Sequence, residues 1–128
     1  MIIALPTADR VRSHAFYRDG LGLTAFGEPA DDGVPEPLQF RLGADVTLMF
    51  IPTGGFGWVT GDRPTAEPGV SECLLCLPAA NDDEVAEQVA RAVAAGAEVV
   101  SPPSVKPWGV TAAVVADPDG HLWQFSTL

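Results

Sequence analysis

The chain has 128 residues, enough for one domain with a real hydrophobic core, and its 47% hydrophobic to 19% charged balance excludes a disordered chain. A formal charge of −10 argues against nucleic acid and anionic membrane surfaces as partners, and favours a neutral or cationic ligand over a polyanion. The opening MIIALPTADRVRS has too short an apolar run for a signal peptide, and no stretch approaches the roughly 20 apolar residues of a membrane span, so a cytoplasmic location is expected.

In chain order, the first feature is Ala4-Leu5-Pro6-Thr7-Ala8-Asp9, an apolar run ending in an Asp able to cap a helix. The spacing predicts that helix from about Arg10 to Arg18, burying Val11, Ala15 and Phe16, with Gly20 and Gly22 beyond it. Strand-like runs follow at Leu23–Phe26, Leu38–Leu42 and Val46–Ile51. From roughly Pro52 to Gly69 the chain is rich in Gly and Pro and reads as a linker.

The same grammar then returns in Cys76-Leu77-Pro78-Ala79-Ala80-Asn81. Leu5 matches Leu77, Pro6 matches Pro78 and Asp9 matches Asn81 at one offset (77 − 5, 78 − 6 and 81 − 9 all give 72). Asn81 with Glu84 resembles a capping box for a helix from about Asp82 to Ala95. Val85, Val89 and Val93 share its apolar face, and Gly96 supplies the stop. Strands are predicted at Glu98–Val100, Val110–Ala116 and Leu122–Ser126, the last two joined by the turn Asp117-Pro118-Asp119-Gly120. The order is β-α-β-β-β twice: an α+β chain forming a single domain, with module one at about 1–52, a linker at about 53–69 and module two at about 70–128.

Cys73 and Cys76 spell C-x-x-C, a redox or metal spacing. Their setting, ECLLCLP, reads instead as a buried strand, on which three residues span about 10 Å, too far for a disulfide. Core thiols are expected.

Two stretches carry a family likeness. Asp9-Arg10-Val11-Arg12-Ser13-His14-Ala15-Phe16-Tyr17-Arg18-Asp19-Gly20-Leu21-Gly22 resembles D-x-x-x-S-x-x-F-Y-x-x-x-L-G, and Asp117-Pro118-Asp119-Gly120-His121-Leu122-Trp123, preceded by Trp108-Gly109, resembles D-P-D-G-H-x-W. These are motifs of the vicinal oxygen chelate superfamily, the glyoxalase/bleomycin-resistance/dioxygenase group. The resemblance implies two βαβββ modules forming a curved eight-stranded mixed sheet around a cavity, and a homodimer. It covers activities from isomerisation and oxygenation to drug sequestration, and fold alone does not choose among them.

Catalytic members of that group hold a divalent metal through His and Glu on the first and last strands of the modules. Here the last-strand position is Gln124, a neutral amide, and the first-strand position is Ile2. The matching slot in module two falls on Glu72 or Leu74. His14, in the first helix, and His121, after the hairpin turn, are not placed to replace the missing ligands. Neither a metal nor another cofactor is expected.

Carried from the family motif, strand parity points Gln124, Leu122 and Ser126 into the cavity with Ile2, Ala4, Glu72, Leu74 and Cys76, and turns Trp123 and Phe125 toward the helices. Phe40 and Phe50 are candidate lining residues. Phe56 and Trp58 in Gly54–Gly61, and Trp108 in Pro102–Gly109, sit in segments that read as mobile rims. The candidate ligand-binding set is thus Phe40, Phe50, Phe56, Trp58, Glu72, Trp108 and Gln124, suited to stacking a planar molecule, while Glu72 is also able to pair with an arginine such as Arg41. For Trp123 and Phe125 a core or dimer-interface role is favoured; for Trp58 and Trp108 that role and a ligand role stand level. No phosphate loop, nucleophile elbow or Ser/His/Asp arrangement is present.

Two functions follow. The first is non-catalytic sequestration of a small hydrophobic or aromatic molecule, of the natural-product antibiotic kind. The second is a lyase or isomerase using Glu72 as a desolvated base, or as part of a metal site rebuilt across a dimer interface.

Overall fold

The structure, a computed structural model, describes residues 1–127. By internal contacts it divides into two compact units, one of Met1–Arg18 with Gly22–Thr65 and one of Asp19–Leu21 with Ala66–Leu128. Each unit is a βαβββ module whose four strands form one mixed sheet.

The first unit contains β1 (Ile2–Thr7), α1 (Arg10–Gly20), β2 (Ala25–Phe26), β3 (Leu38–Arg41), β4 (Thr47–Pro52) and α2 (Thr53–Thr60), its sheet ordered β1-β4-β3-β2. The strand β1 runs parallel to β4, and β3 is antiparallel to β4 and to β2. Asp9 caps α1 as its sequence position predicts, its carboxylate accepting from the Arg12 N–H at 3.0 Å. Behind the cap the Thr7 and Ser13 hydroxyls, both buried, lie 2.6 Å apart and join the end of β1 to the helix.

The buried face of α1 is Ser13, Phe16 and Tyr17, not Val11, which is 48% exposed. Val11 stands two residues, about 200°, before Ser13 and so projects from the opposite side of the helix. Tyr17 lies over the sheet, 4.7 Å ring to ring from Phe50 and 5.6 Å from Phe40. Leu38 and Leu48 complete this core on the same strands. Phe40 and Phe50 are therefore helix-side core residues. The expectation that they line a ligand cavity is corrected, because their pleat positions turn them toward α1.

A second correction concerns the segment after β4. The Gly54–Gly61 stretch, which reads as a mobile rim, is almost entirely the helix α2, closed by Gly61 at φ 68°. No side chain caps its start, and it packs against β4 and β1. Tertiary contact here overrides the poor helix propensity of its three glycines. Elsewhere in the unit, the Arg10 guanidinium donates to the carbonyls of Val34 and Pro35 at 2.8 and 2.9 Å, pairs with Asp32, and lies 3.7 Å from Glu36. One helix cation thus ties down the long β2–β3 connection.

The second unit contains β5 (Leu74–Pro78), α3 (Asp82–Ala94), β6 (Glu98–Val105), β7 (Thr111–Ala116) and β8 (Leu122–Ser126), ordered β5-β8-β7-β6. Asn81 caps α3 by accepting from the Glu84 N–H at 2.9 Å, while the Glu84 carboxylate accepts from the Ala80 N–H. Gly96 ends the helix at φ 112°: its N–H donates to Val93 and the Ala97 N–H reaches back to Ala92, a Schellman closure. The buried positions are Val85, Val89 and Ala92, with Val93 43% exposed. Seven residues return a helix to within about 20° of the starting direction, whereas eight overshoot by about 80°, so Ala92 and not Val93 completes the stripe. Trp123 and Phe125 are buried, as parity predicts.

The strand β6 runs five residues beyond the expected Val100, through Pro102 and Pro103. It is the outer strand of its sheet, and its register against β7 shifts around the prolines, so the missing N–H groups fall where the ladder is interrupted. The thiols also differ from expectation. Cys73 precedes β5 and Cys76 lies on its outer face, and both are free and exposed.

Two hairpins of this unit share one turn geometry. In Lys106-Pro107-Trp108-Gly109 the Gly109 N–H donates to the Lys106 carbonyl at 2.9 Å; in Asp117-Pro118-Asp119-Gly120 the Gly120 N–H donates to Asp117 at 2.9 Å. Pro stands second and Gly fourth in both, with the glycines at φ 95° and 93°. This is a type I turn followed by a left-handed residue, the preferred three-residue hairpin loop. Both glycines resist a side chain, since positive φ costs an L-residue roughly 1–2 kcal/mol. Gly120 is the tighter site, because an added Cβ would lie 3.3 Å from the Pro68 Cα, while at Gly109 it would meet open space. In urea titrations Gly109→Ala is expected to lose roughly 1–2 kcal/mol of stability and Gly120→Ala measurably more; equal losses would contradict the packing at Pro68.

Candidate functional site

Because side chains alternate across each sheet, filling one face with a helix fixes what the other presents. In the first unit the face away from α1 carries Ile2 paired with Thr47, and Ala4 paired with Met49 and, beyond it, Gln39. In the second, the face away from α3 carries Leu74 paired with Leu122, and Cys76 paired with Gln124 and, beyond it, Val114. The repeat is thus exact at the strand level: Ala4 and Cys76 occupy matching places, as do Met49 and Gln124. The Gln124 amide donates to the Cys76 sulfur at 3.7 Å.

These positions are where a His/Glu metal centre of the resembled kind would draw its ligands. At these positions the first unit offers the Thr47 hydroxyl and the Met49 thioether, and the second the Cys76 thiol and the Gln124 amide, with neither imidazole nor carboxylate among them. Neither pair fits a hard or borderline divalent cation that needs charged oxygen or imidazole ligands. Glu72 adds nothing to it in this chain: it is exposed in a bend before β5, outside the strand expected to direct it inward. The desolvation invoked for a Glu72 base is absent as well. Arg41, a possible partner for it, holds its guanidinium 4.6 Å from the Phe26 ring centre.

The histidines lie elsewhere. His14, expected on a solvated face, is half-buried and stacks on Phe40 at 6.4 Å. His121 joins Asp117 and Asp119 in a group whose candidate ligand atoms lie within 4.8 Å of one another. The Asp117 carboxylate in that group accepts from the backbone N–H groups of Asp119 and His121 at 2.9 and 2.8 Å. Its role is to shape the hairpin.

The aromatic candidates separate into two classes. Phe40 and Phe50 are core, and Phe56 is half-buried in α2. Trp58 and Trp108 are 90% and 70% exposed, the first on α2 and the second in the β6–β7 turn. Both are displayed by ordered backbone, not by the mobile rims expected from the Gly and Pro content.

Sequence reasoning missed a polar group beside Trp108. Ser101 pairs with Val114 and Ser104 with Ala112, which puts both serines on the Gln124 face of the sheet. The Lys106 ammonium donates to the Ser104 hydroxyl at 2.9 Å and to the Ser101 hydroxyl at 3.4 Å. The available signal was that Lys106 is the sole lysine of the chain. A separate cleft on the helix side, lined by Leu21, Leu77, Gln88, Arg91 and Phe125, measures about 230 Å³. That is below the roughly 300–1,000 Å³ of small-molecule pockets.

The profile of the Glyoxalase/Bleomycin resistance protein/Dioxygenase superfamily matches residues 2–125, and the chain belongs to that superfamily. A comparison with curated proteins finds no sequence match. Among solved structures, the hypothetical protein SA1046 from S. aureus is 26% identical with a TM-score of 0.83, covering 100% of this chain and 92% of that one. A glyoxalase-related enzyme from Fulvimarina pelagi is 27% identical with a TM-score of 0.84, covering 98% and 84%. TioX from Micromonospora sp. ML1 is 25% identical with a TM-score of 0.68, covering 98% and 95%. No helix of the described residues is long and apolar enough to cross a membrane.

The donor set has a direct consequence for metal content. Protein purified without chelator should carry far less than one equivalent of Zn, Ni, Mn or Fe by elemental analysis, and one tightly held ion per chain would contradict the assignment of Ile2 and Gln124 to the ligand positions.

Proposed function

We propose that this chain binds a small planar aromatic molecule, of the natural-product antibiotic kind, as a homodimer and without turning it over. The observation that carries the reading is the pair of indoles held in water by ordered backbone. Leaving an indole exposed forgoes on the order of 2 kcal/mol of burial, and neither a helix of eight residues nor a tight turn needs a tryptophan at that place. A ligand face is the use that recovers this energy, through apolar burial and through offset stacking. The uncharged donors of each unit, Thr47 and Met49 in the first and Cys76 and Gln124 in the second, support binding over metal-assisted chemistry.

Dimerisation is part of the proposal. Ile2, Leu74, Val99 and Val100 are exposed on the outer strands β1, β5 and β6, and a second copy is the natural cover for such strands. Light scattering at micromolar concentration should return twice the 13.4 kDa chain mass; a monomer mass would count against it.

A stacking contribution of about 0.5–1.5 kcal/mol beyond buried area converts to roughly two- to twelve-fold in affinity. Trp108→Ala should therefore weaken binding of an aromatic natural product by at least that factor while leaving circular dichroism unchanged. The ligand should quench tryptophan fluorescence and be recovered chemically intact. Conversion to product at a rate abolished by Glu72→Gln would replace the binding reading with an enzymatic one.

A further inference from the structure

Six of the seven basic side chains are arginines, and Arg10, Arg41 and Arg91 are occupied, by Asp32, by the Phe26 ring and by the Asp19 carbonyl respectively. Lys106 differs. It is half-buried, and its partners are two neutral hydroxyls, with no carboxylate of the described residues within ion-pair distance. An ammonium has three N–H donors, and a half-buried cation bonded only to neutral hydroxyls keeps most of its attraction for an anion. Serine hydroxyls can in turn rotate to donate to the same anion. Lys106 is also the one lysine of a chain of net charge −10.

The place is also defined. Ser101, Val114, Gln124 and Cys76 form one row across β6, β7, β8 and β5 on the sheet face away from α3. With strands about 4.8 Å apart, Ser101 lies roughly 10 Å from Gln124, the length of a bicyclic ring system with one substituent. Trp108 stands two residues from Lys106 in the same tight turn.

We infer that this row is a carboxylate-anchoring ligand site, in which Lys106, with Ser101 and Ser104, holds the acid group of a small aromatic acid whose rings extend toward Gln124. The inference rests on the aromatic-binding reading and departs from the neutral or cationic ligand that the net charge favours: the ligand is an aromatic monoanion.

The test is isothermal titration calorimetry with two matched probes, naphthalene-2-carboxylate and its neutral amide, naphthalene-2-carboxamide. The wild-type protein should bind the carboxylate about ten-fold more tightly than the amide, the scale of one charge-assisted contact. Lys106→Gln should abolish that preference, Lys106→Arg should keep most of it, and Ser104→Ala should reduce it by about half. Trp108→Ala should weaken both probes alike and leave the preference unchanged. Equal affinity of the wild type for both probes overturns the inference and leaves the aromatic-binding reading standing, while binding of neither overturns both. A full preference in Lys106→Gln also overturns it; if that variant does not fold, a full preference in Ser104→Ala does so.

Discussion

Everything in this chain follows from the pleat of a β-strand. A strand sends alternate side chains to opposite faces, and in each four-stranded sheet one long helix, α1 or α3, fills only one of them. In the first unit α1 takes Leu38, Phe40, Leu48 and Phe50; in the second α3 takes Ala113, Val115, Trp123 and Phe125. A one-residue slip of any strand would exchange the two sets and bury Gln124 and Gln39 in place of rings. The large rings therefore lock the register, and the register delivers Met49, Cys76 and Gln124 to the opposite face. Function and stability are specified by the same alternation, on opposite sides of it.

What was legible in the sequence was whatever has a local cause. The strand β8 was read with the observed bounds because Asp-Pro-Asp-Gly marks its start and its residues alternate without interruption. Asp9, Asn81 and Gly96 marked helix ends because capping is settled within four residues of chain. What was illegible depended on neighbours. Two consecutive prolines read as a break until β6 is known to be an outer strand, and three glycines read as a loop until α2 is seen packed against β4 and β1. Cys73 and Cys76 read as core because their run is apolar, but β5 has only one strand beside it and one face away from the helix.

The candidate site shows the same division. Gln124, Leu122 and Cys76 lie on the face away from α3, where parity carried from the family motif puts them. Phe40 and Phe50 were not, because nothing local to β3 or β4 says which of their faces meets α1; that is set by Tyr17, more than twenty residues away. The Lys106 turn is the instructive miss. Lys-Pro-Trp-Gly carries the same Pro and Gly signals as Asp-Pro-Asp-Gly, and the same reasoning applied to it would have produced a tight hairpin instead of a mobile rim.

The tandem prolines of β6 have one more consequence. An outer strand is a template on which further chains can add, and polymerisation proceeds through its free N–H groups. Pro102 and Pro103 remove two N–H donors from this strand, and the adjoining register shifts distort the spacing of the rest. The strand Glu98–Val105 is thereby a poor seed for cross-β stacking. At high concentration this edge should terminate fibrillar growth instead of propagating it.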